Sequence, residues 1–184
     1  MRDEPGPLNV LLRDNAYPDG SIETWIVPRS GRTSVQERQA FFNETRWGVG
    51  PDSEVMANLL YGLHLYDSSR FQGTIRSGIT FLLDRQDASG SWASRWYIGP
   101  YYGTYVVLRL LEATGDTVTE ARRALAFLLE SQRADGGWGL SGADSDPLCT
   151  ALALLALRYC HTGESRQESL EAARKWSSPK LETN

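Results

Sequence analysis

The sequence predicts an all-α fold of repeated helical hairpins, and three observations carry that prediction. The first is a repeat: Arg76–Trp92 (RSGITFLLDRQDASGSW) and Arg122–Trp138 (RRALAFLLESQRADGGW) share one pattern at an offset of 46 residues. Phe81 and Phe127, Leu82 and Leu128, Gln86 and Gln132, Gly90 and Gly136, and Trp92 and Trp138 all keep that offset. A fixed period between roughly 20 and 50 residues marks stacked supersecondary units. The second is spacing, since Ile79, Leu82 and Leu83, and then Leu125, Leu128 and Leu129, fall at helical intervals before each Gln. The third is an alternation of segments. Val55–Leu65, Tyr102–Leu111 and Leu148–Tyr159 are strongly apolar, whereas Thr74–Arg85, Glu120–Ser131 and Gln167–Trp176 are amphipathic. A buried inner ring and a half-exposed outer ring would produce that alternation, so the expected architecture is an α/α toroid, here a partial barrel with Gly-x-Trp turns. No segment alternates as a strand would.

Each element has a local reason. Residues 1–33, rich in Pro and Gly, read as an irregular N-terminal segment, and Asp19–Trp25 (DGSIETW) has the form of a repeat end whose helix is short or missing. A toroid domain is expected over 34–178, followed by a polar tail at 179–184. Ser34 as N-cap with Glu37 as capping-box partner predicts a helix to about Phe42. Pro51, Asp52 and Glu54 mark the next helix start, with Val55, Leu59, Leu60 and Leu63 on one stripe. Ser68 or Ser69 opens the first repeat helix, which ends near Gln86. Tyr102–Ala113 follows and stops at Gly115, and Thr117 or Thr119 caps a helix to Gln132. Pro147–Cys160 is apolar nearly all round and is expected to be buried on most sides. Arg166–Trp176 is a last polar helix, and Pro179 should end it.

Composition narrows the function classes. The chain has 184 residues, 41% of them apolar, and a net charge of −4. That is one ordinary domain without the basic excess of a nucleic-acid binder. No apolar run approaches the roughly 18 residues a spanning helix needs, and MRDEPGPLNV has no signal-peptide pattern, so a cytoplasmic protein is expected. Cys149 and Cys160 lie eleven positions apart in one expected helix. That puts them about 16 Å apart, too far for a disulfide, and they read as reduced core thiols.

The repeat, with its basic residue, Phe-Leu, Gln and Asp/Gly-Gly-x-Trp, resembles the QW repeat of class II terpene cyclases and their squalene–hopene cyclase relatives. GSWASRWYIGPYYGTYVVLRLLEATG is similar to the G-S-W…R-W-G…Y-G-T segment of those proteins, and DGGWG before TALALLAL is similar as well. The likeness covers roughly Pro51–Cys160, and protein prenyltransferase β-subunits share the fold. It implies a toroid, yet three hairpins and a partial unit cannot close a ring. The chain is therefore expected to form a homodimer, or to meet a partner that supplies the missing hairpins.

The resemblance also implies a chemistry: an Asp of a D-x-D-D motif protonates an alkene or epoxide, and aromatic faces guide the carbocations. Such an acid needs a raised pKa. The nearest match is Asp144-Ser145-Asp146-Pro147, with Pro147 where the family has its second paired Asp. Asp146 is equally placed to be the N-cap of the Pro147 helix. Asp52 stands at another inner-helix start, with the same capping alternative. Trp96, Tyr97, Tyr101, Tyr102 and Tyr105 fall in the segment that lines the cavity in those cyclases, and are the candidate substrate-binding residues. Trp92 and Trp138 read as scaffold. Zinc, held in the prenyltransferases by Asp, Cys and His, would need Asp146, Cys149 and His161, but His161 lies beyond the reach of one helix turn. Neither metal nor cofactor is expected. Two functions stay open: an acid-initiated cyclase or isomerase binding an isoprenoid substrate, and a non-catalytic repeat module binding an isoprenoid or a partner protein.

Overall fold

A computed structural model describes residues 6–115, 119–160 and 164–181. Among them the regular elements are helices: α1 (Pro7–Asn15), α2 (Ser34–Phe42), α3 (Ser53–Asp67), α4 (Gln72–Asp84), α5 (Tyr101–Thr114), α6 (Thr119–Glu130), α7 (Pro147–Arg158) and α8 (Glu164–Leu181). A π-helical turn, Asn43–Trp47, continues α2. The inner layer is α3, α5 and α7 side by side, with α4 packed on α3, α6 on α5 and α7, and α8 on α6 and α7. This is the α/α toroid arrangement, as an open arc.

The layering follows from composition. α5 buries Val106, Val107, Leu108, Leu110 and Leu111, apolar residues on nearly every side of one stretch. α6 buries only Ala124 and Leu128 and leaves its charged residues outside. A helix buried all round belongs between layers, and one with a single stripe belongs on the surface.

The two repeats make the same bonds. Trp92 and Trp138 are fully buried. Their indole N–H groups donate to the carbonyls of Leu82 (2.6 Å) and Leu128 (2.9 Å), and their backbone N–H groups to the hydroxyls of Thr104 (3.1 Å) and Thr150 (3.0 Å). Each indole thereby adds a donor to a carbonyl near a helix end, where acceptors outnumber intrahelical donors. The Gln86 amide donates to the carbonyls of Gly90 and Glu120, and that of Gln132 to Gly136 and Ser169. Each Gln ties its own turn to the following outer helix.

A third, degenerate copy sits in the N-terminal segment. The backbone bonds Tyr17 to Ser21, Asp87 to Ser91 and Arg133 to Gly137 are equivalent. Gly20, Gly90 and Gly136 all have φ between 85° and 95°, and a Cβ on any of them would collide with Ser77, Arg123 or Ala172 of the next outer helix. Only glycine supplies both the left-handed turn and that close approach. Residues 1–33 are thus not irregular throughout, because α1 is the short outer helix of this copy. Ile22, 3% exposed, occupies the tryptophan position, and its N–H points at the sulfur of Met56 where the other copies use threonine. Trp25, which the DGSIETW pattern suggested as the anchor, lies three residues further on.

Other boundaries shift by small amounts. α2 is capped by Thr33 with Gln36 in a reciprocal capping box, one residue before the expected Ser34 and Glu37. Thr and Gln meet the same chemical requirement at that register. α4 begins at Gln72 after a turn rather than at Ser68 or Ser69. The backbone of α8 stays helical to Leu181, past Pro179 and into the expected tail, since a proline near a helix end removes few bonds. Thr117 and His161 lie outside the described residues. Cys149 and Cys160 are free and buried.

Candidate functional site

The copies differ most between the repeat turn and the inner helix. Trp92 and Trp138 are each followed within nine residues by α5 or α7, whereas 30 residues separate Ile22 from α3. Insertions in repeat arrays map to loops on one face. This one carries α2, the π-helical turn, Trp25 and Trp47. It lies at the N-terminal ends of the inner helices, as do the 93–100 and 139–146 loops.

Two buried carboxylates at the start of α3 organise that end. Asp52 is 5% exposed and caps nothing with its side chain. Its Oδ1 lies 2.7 Å from Nε of Arg95, and its Oδ2 accepts from Oγ1 of Thr24 (2.9 Å) and Nε1 of Trp96 (3.1 Å). Glu54 is 2% exposed, and its Oε1 accepts the backbone N–H groups of Arg95 (2.7 Å) and Trp96 (2.8 Å). The second oxygen, Oε2, has no protein partner. Together they clamp Trp96 from its backbone and its indole. Trp96 packs edge-on against Trp25, with ring centres 5.4 Å apart, and tilted against Trp47 at 5.5 Å.

A second aromatic group runs along the inner helices. Tyr97 stacks on Tyr102 at 3.9 Å, Tyr102 meets Tyr105 at 6.3 Å, and Tyr105 meets Tyr159 at 6.0 Å. Asn58 of α3 donates to the Tyr102 hydroxyl (3.2 Å) and accepts from Nη2 of Arg109 (2.7 Å). The Arg109 guanidinium lies 4.2 Å from the Tyr61 ring centre and 5.5 Å from that of Tyr105. Tyr102, Tyr105 and Arg109 share one face of α5 by their spacing, as do Asn58 and Tyr61 on α3.

The expected site residues are therefore divided. Trp96 joins the tryptophan group, while Tyr97, Tyr102 and Tyr105 form the tyrosine ladder. Tyr101 points away: it is buried, packs on Phe127 at 5.8 Å and donates to the Gly139 carbonyl (3.3 Å). One residue along a helix turns the side chain by about 100°, which separates Tyr101 from Tyr102. Asp146 is the N-cap of α7, its Oδ1 accepting from the Cys149 N–H at 2.8 Å. Burial pushes its pKa up, but the bonds from Cys149 and Leu148 outweigh this and hold it below the usual carboxylate value. Burial, reinforced by Asp146, pushes the Cys149 thiol up to about 12. Asp144 is exposed. With α5 between α3 and α7, Asp52 and Asp146 stand two interhelical spacings of about 8–10 Å each apart, so they cannot act as a carboxylate pair.

Glu54, Asn58, Arg109, Trp25 and Trp47 are the members of this candidate site that motif reading passed over. For Asn58 and Arg109 the available signal was a polar residue on the aromatic stripe of an otherwise apolar helix. Among the described residues no three His, Cys, Asp or Glu side chains gather as metal ligands, and no helix is long and apolar enough to cross a membrane.

The family model described as squalene-hopene cyclase C-terminal domain matches residues 41–148. Labda-7,13-dienyl diphosphate synthase from Streptomyces clavuligerus is 29% identical over 118 residues, covering 62% of this chain and 22% of the synthase. Human (Homo sapiens) lanosterol synthase is 36% identical over 142 residues, covering 70% of this chain and 19% of the synthase. The chain thus spans about a fifth of these two relatives. Among solved structures, ent-copalyl diphosphate synthase from Streptomyces platensis superposes with a TM-score of 0.69 at 23% identity, covering 96% of this chain and 31% of that one. An arginine-to-alanine variant of the type II terpene cyclase MstE from Scytonema, in complex with its substrate geranylgeranyl dihydroxybenzoate, gives 0.67 at 18% identity, covering 90% and 45%.

Proposed function

Because the chain belongs to the squalene-hopene cyclase C-terminal domain family, we propose that it binds a polyprenyl substrate along its inner helices. There it serves acid-initiated cyclisation or isomerisation, without a cofactor. The observation that carries this reading is a pair of aromatic groups that meet at consecutive residues: Tyr159, Tyr105, Tyr102 and Tyr97 in one, and Trp96, Trp25 and Trp47 in the other. A cation beside an aromatic face gains about 0.5–2 kcal/mol per ring, most where water is excluded. The substrates and products named for the relatives, among them geranylgeranyl dihydroxybenzoate and labdadienyl diphosphate, support a polyprenyl ligand.

Of the three candidate acids, Asp52 is the one that touches these aromatic groups, through Trp96. Asp146 and Asp144 belong to the α7 end. A second reading, a non-catalytic isoprenoid-binding module, is favoured by one observation: Asp146 is engaged as the N-cap of α7, accepting the Cys149 N–H, which favours its charged form, opposite to what a proton donor needs. Either way we propose that a second copy, or a partner supplying further hairpins, covers the open arc beside α7.

Incubation with geranylgeranyl diphosphate and with squalene, followed by mass spectrometry, tests the enzyme. A cyclised or isomerised product lost in Asp52→Asn supports it. Binding of the prenyl compounds with no product from any of them establishes the module instead.

A further inference from the structure

Resting on the polyprenyl-binding reading, we propose that the inner-helix face holds the anionic head group of its ligand at Arg109, with the chain running from there toward Trp96. A guanidinium stays protonated throughout the physiological range. Arg13, Arg32 and Arg95 each have a carboxylate partner, Asp14, Glu37 and Asp52 respectively. Arg109 has none. Its single hydrogen bond is to the neutral amide of Asn58, its flanks are the rings of Tyr61 and Tyr105, and its Nε is buried without an acceptor. A half-buried cation without a counter-charge is unfavourable, and an oxyanion beside it makes charge-assisted bonds roughly twice as strong as neutral ones.

A second donor stands on the same amide. Asn58 donates to the Tyr102 hydroxyl oxygen, which leaves the hydroxyl's own proton free for a ligand. Asn58 also donates to the Glu54 carbonyl within α3, so its orientation is set by the helix that carries it. Arg109 and Tyr102 are thus two donors held through one fixed side chain. A group with several anionic oxygens, a diphosphate or a carboxylate, can accept from both.

Charge also sets the direction of the chain. A carbocation next to Arg109 would be repelled by it, whereas at the tryptophan group the guanidinium of Arg95 is balanced by Asp52. Arg109 lies seven residues along α5 from Tyr102, about 10 Å toward the C-terminal end. The head group therefore sits deep along the face, and the far end of the prenyl chain reaches Trp96.

Equilibrium binding to the full chain, read by calorimetry, tests this with farnesyl diphosphate, farnesoic acid, farnesol and inorganic pyrophosphate. The two farnesyl anions should bind at least about tenfold tighter than farnesol. Arg109→Gln should erase that ratio while still binding farnesol, which serves as its folding control, and Arg109→Lys should keep part of it. The comparison of farnesyl diphosphate with farnesoic acid identifies which anion the face prefers. Equal affinity for farnesol and both anions overturns the head-group assignment and leaves the polyprenyl reading standing. Pyrophosphate binding that requires Arg109, without prenyl binding, does the reverse. Absence of binding by every compound overturns both.

Discussion

The indole N–H of Trp96 donates to Oδ2 of Asp52 across 3.1 Å, and the other oxygen of the same carboxylate is paired with Arg95, the residue just before Trp96. One side chain at the start of α3 thereby fixes two consecutive residues of the 93–100 loop. Asp52→Asn keeps a hydrogen-bond acceptor but removes the ionisable carboxyl group. Under the cyclase reading its turnover should fall by about a hundredfold or more, with the thermal transition lowered only modestly. Asp146→Asn still caps α7 and should retain turnover. Loss of product with Asp146→Asn and survival with Asp52→Asn would move the acid to α7.

Burial rather than residue size should rank the repeat anchors. Trp92→Ala and Trp138→Ala each empty a fully enclosed site and should lower stability by about 3–5 kcal/mol in urea unfolding. In the degenerate copy the anchor is Ile22, so Ile22→Ala should cost about 2–4 kcal/mol. Trp25→Ala, at a half-buried position, should cost less, about 1 kcal/mol. The opposite order for Ile22 and Trp25 would remove the assignment of Tyr17–Ile22 as a third repeat turn.

Acid should destabilise the fold through its capping and turn carboxylates. For both Asp146 and Asp87 burial acts upward, but hydrogen bonds from Cys149 and Leu148, and from Ser89 and Ser91, hold the folded value below the usual one. A depressed folded value means that the stabilisation is fully present above the unfolded pKa of about 3.9 and disappears as pH falls through the folded value. Tm should therefore vary little from these groups between pH 7 and 5 and decline below about pH 4. Asp146→Ala should lose about 1 kcal/mol at neutral pH and show a shallower acid limb.

The open arc should associate. Leu148 and Leu155 of α7 are 58% and 40% exposed, so the described part of the N-terminal segment does not cover them. Light scattering at tens of micromolar is expected to report a dimer, and Leu155→Glu a monomer with unchanged helix content. A monomeric parent chain under those conditions would leave the uncovered face to a different partner.

Sequence reading reached the repeats for a physical reason: Gln86, Gly90 and Trp92 act within one turn, and their partners recur 46 residues on at Gln132, Gly136 and Trp138. The two layers of helices followed from the alternation of apolar and amphipathic segments. Ile22 escaped because the third copy preserves backbone geometry around Gly20 while exchanging Trp for Ile and Thr for Met. The capping box at Thr33 and Gln36 escaped by one residue, since Thr33-Ser34 and Gln36-Glu37 satisfy the same chemistry in two registers.

What the sequence determined alone is local: helix spacing, the Gln-to-Trp turns, the N-cap at Asp146 and the supply of aromatic residues. Those depend on contacts within a few residues and on a repeat period, and both are written along the chain. Tertiary structure alone decided which aromatics share a face, separating Tyr101 from Tyr102. It also brought Asp52 and Glu54 to Trp96 across more than 40 positions, and left Arg109 with an amide instead of a carboxylate. Such pairings depend on how α3 and α5 pack against each other, and no spacing within either helix encodes the residue that will face it.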